Sequence, residues 1–461
     1  MEESTQVLVI GGGPAGSTVA ALLAKEGHSV TLLERERFPR YHVGESILPS
    51  CLPILDLTGA RDKVEKHGFQ RKGGAYFEWG EEEWELAFGG LAGQAQYSWQ
   101  VVRSEFDQIL LEHAHSLGVD VREGAAINEV VFDDGGRAVA ARWSNTSGDD
   151  DGTISFDFLV DASGRTGVLA TRHLGTRRFH EAFRNVGVWG YWEGAHPLGR
   201  GPEGAIGVCS IPDGWVWLIP LHNGSMSVGL VTTKARFSAE RPQRNGDLAG
   251  YYRDKIETCR LAKTVLAQAK LVPGVNVEAD YSYVCDSFTG PGYLLAGDAA
   301  CFLDPLLSTG VHLATFSGML GAAAISSVLR GEVAEEDAFA FYGTAYRHAY
   351  ERLLVLVSVF YQSYQGRDSH FFQAQTLTRR DRVGLDLQQS FLNIASGMED
   401  VADARDGAYE LIASQLTGAQ TGVSNPLANH NYRSEALPTD PRRAVEGFYL
   451  VTEPRLGLRR S

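Results

Sequence analysis

The apolar positions of this chain keep one rhythm as far as residue 180 and another beyond it. QVLVI at 6–10 is a continuous apolar run of strand length, GGGPAG is a turn, STVAALLAKEG repeats its apolar residues at helical spacing, and HSVTLLE is a second strand. Strand, turn, helix and strand in that order predict a parallel pair, because a crossover helix must carry the chain back to the same end of the sheet. Further strands are expected at Val119–Arg122, Ala138–Trp143 and Phe156–Asp161. Near 182 the texture becomes a two-residue alternation rich in aromatics: NVGVWGYWEG, GAIGVCSI, GWVWLIPL and MSVGLVTT. Such alternation predicts long antiparallel strands in a second sheet. Strand, turn and helix return in YLLAGDAACFLDPLLSTGVHLATFSGMLGAAAI. Past Gly331, apolar residues at Phe339, Tyr342, Tyr346 and Leu353 predict helix, and the Pro-, Asn- and Gly-rich end reads as an irregular surface tail.

The fold expected is therefore α/β. A Rossmann-like dinucleotide-binding module occupies 1–180 and 276–330, an inserted antiparallel β-sheet domain 181–275, and a C-terminal helical cap with its tail 331–461. Composition excludes more than it adds. With 42 Lys and Arg against 57 Asp and Glu, the net charge of −15 disfavours a nucleic-acid surface and an electrostatic membrane anchor. Cys51, Cys209, Cys259, Cys285 and Cys301 are odd in number and include no C-x-x-C pair, so neither a disulfide framework nor a metal site is expected. MEESTQ leads straight into the first strand, and the apolar stretches Met319–Ile325 and Leu353–Phe360 fall short of the ~18 residues of a membrane span. A cytoplasmic protein that does not enter the membrane is the expectation.

Gly11, Gly13 and Gly16 form G-x-G-x-x-G between strand and helix, and Glu34 ends the second strand. Gly11 permits the tight turn, Gly13 lets the backbone approach a pyrophosphate, and Gly16 allows close helix–strand packing. Gly12 and Ala15 share this loop and helix start, whose free N–H groups favour an anion. The Glu34 carboxylate can accept ribose hydroxyls. A glycine turn with a merely solvated Glu34 is the plainer alternative, and the fingerprint by itself leaves FAD and NAD both open.

GDAA at 297–300 follows the strand YLLA and puts the Asp298 carboxylate where a flavin's ribityl chain would pass. With Arg103 in VVRSEFDQILLEHA and Asp161 in DASG, the chain resembles the flavoprotein monooxygenase superfamily, which implies FAD. Taken alone, Arg103 reads equally well as an ion-pair residue. FPRYHVGESILPS at 38–50, KGGAYFEWG at 72–80, WVWLIP at 215–220 and DPLLSTGVHLA at 304–314 narrow the field. Together they resemble the flavin-dependent halogenases, whose W-x-W-x-I-P signature is matched at Trp215, Trp217, Ile219 and Pro220. The G-E-S and S-T-G-V-H elements look most like the subgroup acting on phenols and pyrroles, often tethered to a carrier protein, as in the chondrochlorene and glycopeptide pathways. The resemblance spans residues 5 to 375.

It implies FAD supplied reduced by a flavin reductase, dioxygen, and chloride or bromide, which together yield hypohalous acid. It implies that Glu45 and Val311 lie at the cofactor and that the amides of Thr309 and Gly310 hold the halide. A dehydrated anion needs such fixed donors. An N-cap at Ser308 or Thr309 is the structural alternative. Lys72 matches the family's catalytic lysine, which hydrogen-bonds hypohalous acid or becomes a chloramine; the default for any lysine is the surface. Trp215 and Trp217 share one face of a strand and would wall the flavin from the substrate, or form a core ladder. Leu307 stands where tryptophan-type enzymes carry glutamate and the phenol and pyrrole subgroup usually an aromatic, so it departs from both but stays apolar; the missing carboxylate argues against an indole substrate. His312 reads as a satisfied helix histidine, and Arg71 as solvated. Tyr361, Tyr364, Phe371 and Phe372 are core or pocket aromatics, and Arg379, Arg380 and Arg382 are candidates for docking an acidic carrier. The competing readings are an aromatic hydroxylase using NAD(P)H, a non-catalytic flavin-fold scaffold, and halogenation of a carrier-bound aliphatic acyl group.

Overall fold

The structure, a computed structural model, describes residues 3–90, 97–148, 150–180, 183–279, 281–362, 439 and 441–461. Glu3–Ile10, whose second half Val7–Ile10 is apolar and buried on both faces, lies inside an eight-stranded sheet, parallel to Val30–Glu34 on one side and to Asp151–Asp161 on the other. Asp120–Glu123 and Tyr293–Leu295 extend the parallel set outward, so the two halves of the nucleotide module, separated by more than a hundred residues, share one sheet. Ala125–Phe132 and Ala138–Asn145 form an antiparallel arm on Asp151–Asp161. The helix Pro14–Lys25 packs on both Arg103–Ser116 and Gly310–Leu329. Gly318 permits that approach, since a Cβ there would stand 2.8 Å from the Ala15 carbonyl oxygen.

The second sheet also has eight strands. Its order runs Lys270–Leu271, Asn185–Glu193, Ser225–Thr233, Gly214–Pro220, Ile206–Ile211, Gly74–Trp79 and Glu82–Ala87, with Asn276–Ala279 also on Asn185–Glu193. It thus reaches beyond the 181–275 expected for it at both ends. Gly74–Trp79 joins parallel to Ile206–Ile211, a partner far away in sequence. Alternation predicts a strand but not which edge it will join.

Gly214–Pro220 is buried on both faces. Val216 and Leu218 pack with Tyr251, Tyr252 and Leu261 of the covering helices, whereas Trp215, Trp217 and Ile219 belong to the core shared with the nucleotide module. The two-residue period of the strand therefore aims the tryptophans at the junction of the sheets.

Gly310–Leu329 is, among the described residues, the one helix long and apolar enough to cross a membrane, yet 94% of its most apolar window is buried inside the protein. Glu335–Gln362 packs alongside it. The end of the chain corrects the expectation of an irregular tail: Phe448–Val451 and Gly457–Arg460 pair as an antiparallel hairpin. The hairpin is pinned to the long helix by the Leu458 amide donating to Ser327 Oγ at 2.8 Å. Its short strands carry too few apolar positions to announce themselves. Tyr364, Phe371, Phe372, Arg379, Arg380 and Arg382 lie outside the described residues.

Candidate active site

A cavity of about 430 Å³ opens between the two sheets. At one end the first strand stops at Gly11, whose φ of +100° and whose missing Cβ, 2.4 Å from the Ala162 carbonyl oxygen, both demand glycine. Gly16 packs against Gly11, where a Cβ would fall 1.9 Å from its carbonyl oxygen. Gly11, Gly13 and Ala15 line the cavity, while Gly12 and Gly16 shape the turn behind it. No side chain caps the helix that starts at Pro14, so its first amides are left to the cavity. Glu34 lines the cavity too. Its Oε2 accepts the Gly12 amide at 2.7 Å and its Oε1 the Glu36 amide at 2.8 Å, so the carboxylate is aimed by backbone and is not a merely solvated group.

Deeper in, Arg103 is both an ion-pair residue and a cavity residue. Its Nε and Nη2 bind Asp107 at 2.8 and 2.9 Å, and its Nη1 donates to the Val43 carbonyl at 2.8 Å. The buried Asp107 carboxyl is held below its ordinary range by that guanidinium. Asp298 lines the same wall, and burial pushes its carboxyl up to about 6, with Arg103 opposing. Asp161 instead points into the turn after its strand, accepting the Leu169 amide at 2.7 Å. Trp217 forms part of the cavity wall; Trp215 does not reach it, and donates from Nε1 to Tyr361 Oη at 2.8 Å. Tyr361 in turn donates to Asp304 Oδ1 at 3.0 Å, and Asp304 Oδ1 also accepts the Leu306 amide at 2.9 Å.

That carboxylate sets the next loop. After the turn Pro305–Leu307, Ser308 adopts a left-handed φ of +59°, and Thr309 begins the helix Gly310–Leu329 without any side-chain cap. The N-cap alternative is therefore not what the structure holds. Ser308, Thr309, Gly310 and Val311 all line the cavity, and Leu307 is buried and apolar beside them. A twenty-residue helix with an open amino end suits an anion.

Lys72 lies outside this cavity. It ends the short strand Gln70–Lys72, pairs with Ser98, and is 1% exposed. Its Nζ donates to the Ile47 carbonyl at 3.2 Å and sits 5.5 Å from the centre of the Phe88 ring. Burial brings the amine down to about 7, with Cys51 opposing. The surface reading of Lys72 fails. Arg71 beside it is exposed and pairs with Glu65. Ile47 and Val311 belong to one apolar cluster, so the wall between Lys72 and the cavity is made of packed side chains. His312 is buried and stacks on Phe316.

Sequence reasoning missed Arg40, Tyr41, His42, Arg165, Trp189 and Tyr281, all of which line the cavity. FPRYHV held the first three in plain view, but no spacing rule distinguishes such a loop from a solvated one. It also missed a group outside the cavity, His67, Glu105 and His222, whose nitrogen and oxygen atoms lie within 4.8 Å of one another. Both imidazoles meet the same Glu105 oxygen, at 2.8 and 3.2 Å.

The glycine cradle, the ribose-side carboxylate and the long cleft between the sheets fit FAD. A Cβ at Gly13 would crowd Arg40 Nη2 at 3.3 Å, so the glycine keeps the cavity lining over the helix start clear. Fold and cleft together define an FAD-binding enzyme of the flavoprotein monooxygenase architecture. The family model described as tryptophan halogenase matches residues 6–96 and 89–413. The chain is 41% identical to a tryptophan 2-halogenase of Chondromyces crocatus, over 100% of this chain and 95% of that one. It is 38% identical to the flavin-dependent halogenase armH3 of Armillaria mellea, over 96% and 93%. The structure of the myxobacterial chondrochloren halogenase CndH matches with a TM-score of 0.76 at 36% identity, covering 86% of this chain and 90% of that one. The chain belongs to the tryptophan halogenase family of flavin-dependent halogenases. It is an oxidoreductase that uses FAD, dioxygen and chloride or bromide, and these relatives speak against the hydroxylase alternative.

Proposed function

We propose that the protein halogenates an electron-rich phenol or pyrrole, free or bound to a carrier protein, with FAD delivered reduced by a separate reductase. Bound FAD supplies the electrons that turn dioxygen and halide into hypohalous acid. The residues around it bind and exclude. Glu34 accepts the ribose hydroxyls, the amides after Gly13 take the pyrophosphate, and Asp298 faces the ribityl chain. Arg103, Glu45 and Val311 border the flavin ring. The amides of Thr309 and Gly310 hold the halide, and Trp217, backed by Trp215, closes the wall that keeps substrate from the oxidant's source.

The observation that carries the reading is Lys72. A buried amine outside the cavity, bonded to Ile47 of the apolar cluster that includes Val311 and brought near neutrality, can donate hydrogen bonds to hypohalous acid as ammonium or attack it as free amine. Leu307 supports the substrate class, since an indole developing positive charge would want a carboxylate there, whereas a phenolate or pyrrole activates itself. The name of the Chondromyces relative favours a second reading, free tryptophan.

Mass spectrometry of reactions with FAD, a reductase and chloride, offering tyrosyl and pyrrolyl carriers, free phenols and tryptophan side by side, separates the two. Lys72→Met is expected to retain FAD binding and lose halogenated product by ~100-fold or more. Product at the wild-type level would refute the role of Lys72, and halogenation of tryptophan alone would replace the phenol reading.

A further inference from the structure

The polar groups at the mouth of the cavity form a single hydrogen-bonded file that ends on Glu45. Trp189 Nε1 donates to Tyr41 Oη at 2.6 Å, the hydroxyls of Tyr41 and Tyr191 lie 3.0 Å apart, and Tyr191 donates to Glu45 Oε1 at 2.7 Å. Proton counting sets the direction. Tyr191 has one hydroxyl proton and gives it to Glu45, so toward Tyr41 its oxygen can only accept. On the other side Trp217 donates to Ser227 Oγ at 3.2 Å, and Ser227 reaches the same Glu45 oxygen at 3.4 Å. The ends of the file differ in environment: Glu45 is 2% exposed and lines the cavity, whereas Tyr41 is 54% exposed.

Glu45 has no ion pair among the described residues. The fork of Arg103, whose charge acts on Glu45, is taken by Asp107, which Arg40 also meets at 3.3 Å. Burial accordingly raises the Glu45 carboxyl above its ordinary range. A buried carboxyl in the cavity, joined to solvent by two hydroxyls, can take up a proton from that side and pass it inward.

We propose that Glu45, Tyr191 and Tyr41 form a proton relay that feeds the flavin cavity from solvent during halogenation. This rests on the halogenase reading. That reaction consumes protons. Reduced FAD (FADH2), O2, one halide ion, one aromatic C–H and one proton become FAD, one carbon–halogen bond and two waters. The proton must reach a cavity that has to stay free of bulk water if hypohalous acid is to survive. When Glu45 releases its proton inward, its carboxylate takes the Tyr191 proton, Tyr191 takes that of Tyr41, and Tyr41 is reprotonated by water. Ser227 and Trp217 hold the carboxyl in place.

Two measurements on the FAD-loaded protein test the relay. The C=O stretch of the Glu45 acid, assigned by its disappearance in Glu45→Gln, shifts on mixing with D2O. Exchange is expected to slow by ~10-fold or more in Tyr191→Phe and in the exposed Tyr41→Phe, which keep their rings. In single turnovers with reduced FAD, oxygen, bromide and a simple phenol, wild type should show a solvent isotope effect, and Tyr191→Phe should lose ~100-fold in rate. Unchanged exchange and unchanged turnover in both tyrosine variants would overturn the relay, as would the absence of any acid band that Glu45→Gln removes. If wild type makes no halogenated product, the functional reading fails, and the exchange measurement still decides whether the file conducts protons.

Discussion

At the scale of single residues, Lys72 shows how burial sets both chemistry and stability. An amine that titrates near 7 in the fold and at 10.5 when free is charged below pH 7 in both states, and keeping it buried there costs on the order of 5 kcal/mol. Between 7 and 10.5 the unfolded chain binds the extra proton, so the wild-type protein should gain stability as pH rises through that window. Lys72→Met removes the penalty. It should be more stable than wild type by several kcal/mol at pH 6, with the difference shrinking toward pH 10, as read by urea denaturation at both values. A constant difference would mean that the amine is not neutralised by burial.

Among elements, the strand Gly214–Pro220 does the most with the fewest residues. Trp217 lies flat against the neighbouring strand at Gly229, where a Cβ would fall 2.0 Å from Trp217 Cζ2. The glycine is there because the indole needs its space, not because of a special backbone angle. Gly229→Ala should push Trp217 out of the cavity wall, cost about 1–3 kcal/mol, and change the tryptophan fluorescence. A variant with wild-type stability and spectrum would show that the wall can repack. The two indole N–H groups, two residues apart, serve different neighbours. Trp215 reaches the Tyr361–Asp304 pair that shapes the Ser308 turn, and Trp217 reaches Ser227, which in turn reaches Glu45. One strand thus ties the uncapped helix start to the carboxyl at the cavity.

For the whole molecule, the cavity is a seam. Gly11, Glu34, Arg103 and Ala162 come from the nucleotide module, and Gly187, Trp189, Ile206 and Trp217 from the second sheet. A cofactor that fills the seam binds both. FAD present at a hundred times its Kd should add about 2.7 kcal/mol to the unfolding free energy. Hydrogen exchange should then slow in Asn185–Glu193 and Gly214–Pro220 as well as in the Gly11 loop. Protection confined to the nucleotide module would show that FAD does not span the two sheets.

The sequence by itself determined the local parts: the strand, glycine turn and helix at 6–25, the acid at the end of the second strand, the tryptophan alternation, and the loop that opens the long helix. Each of these is dictated within a few residues by sterics, spacing or helix-end chemistry, so it can be read without coordinates. Only the tertiary structure decided that Gly74–Trp79 joins the second sheet, that the chain ends in a hairpin, and that Thr309 is uncapped. It alone placed Arg40, Tyr41 and Trp189 on the cavity, Arg103 in a buried pair, and Lys72 behind an apolar wall. These outcomes depend on which distant segments meet, and burial, pairing and the cost of a charge arise only once they have met.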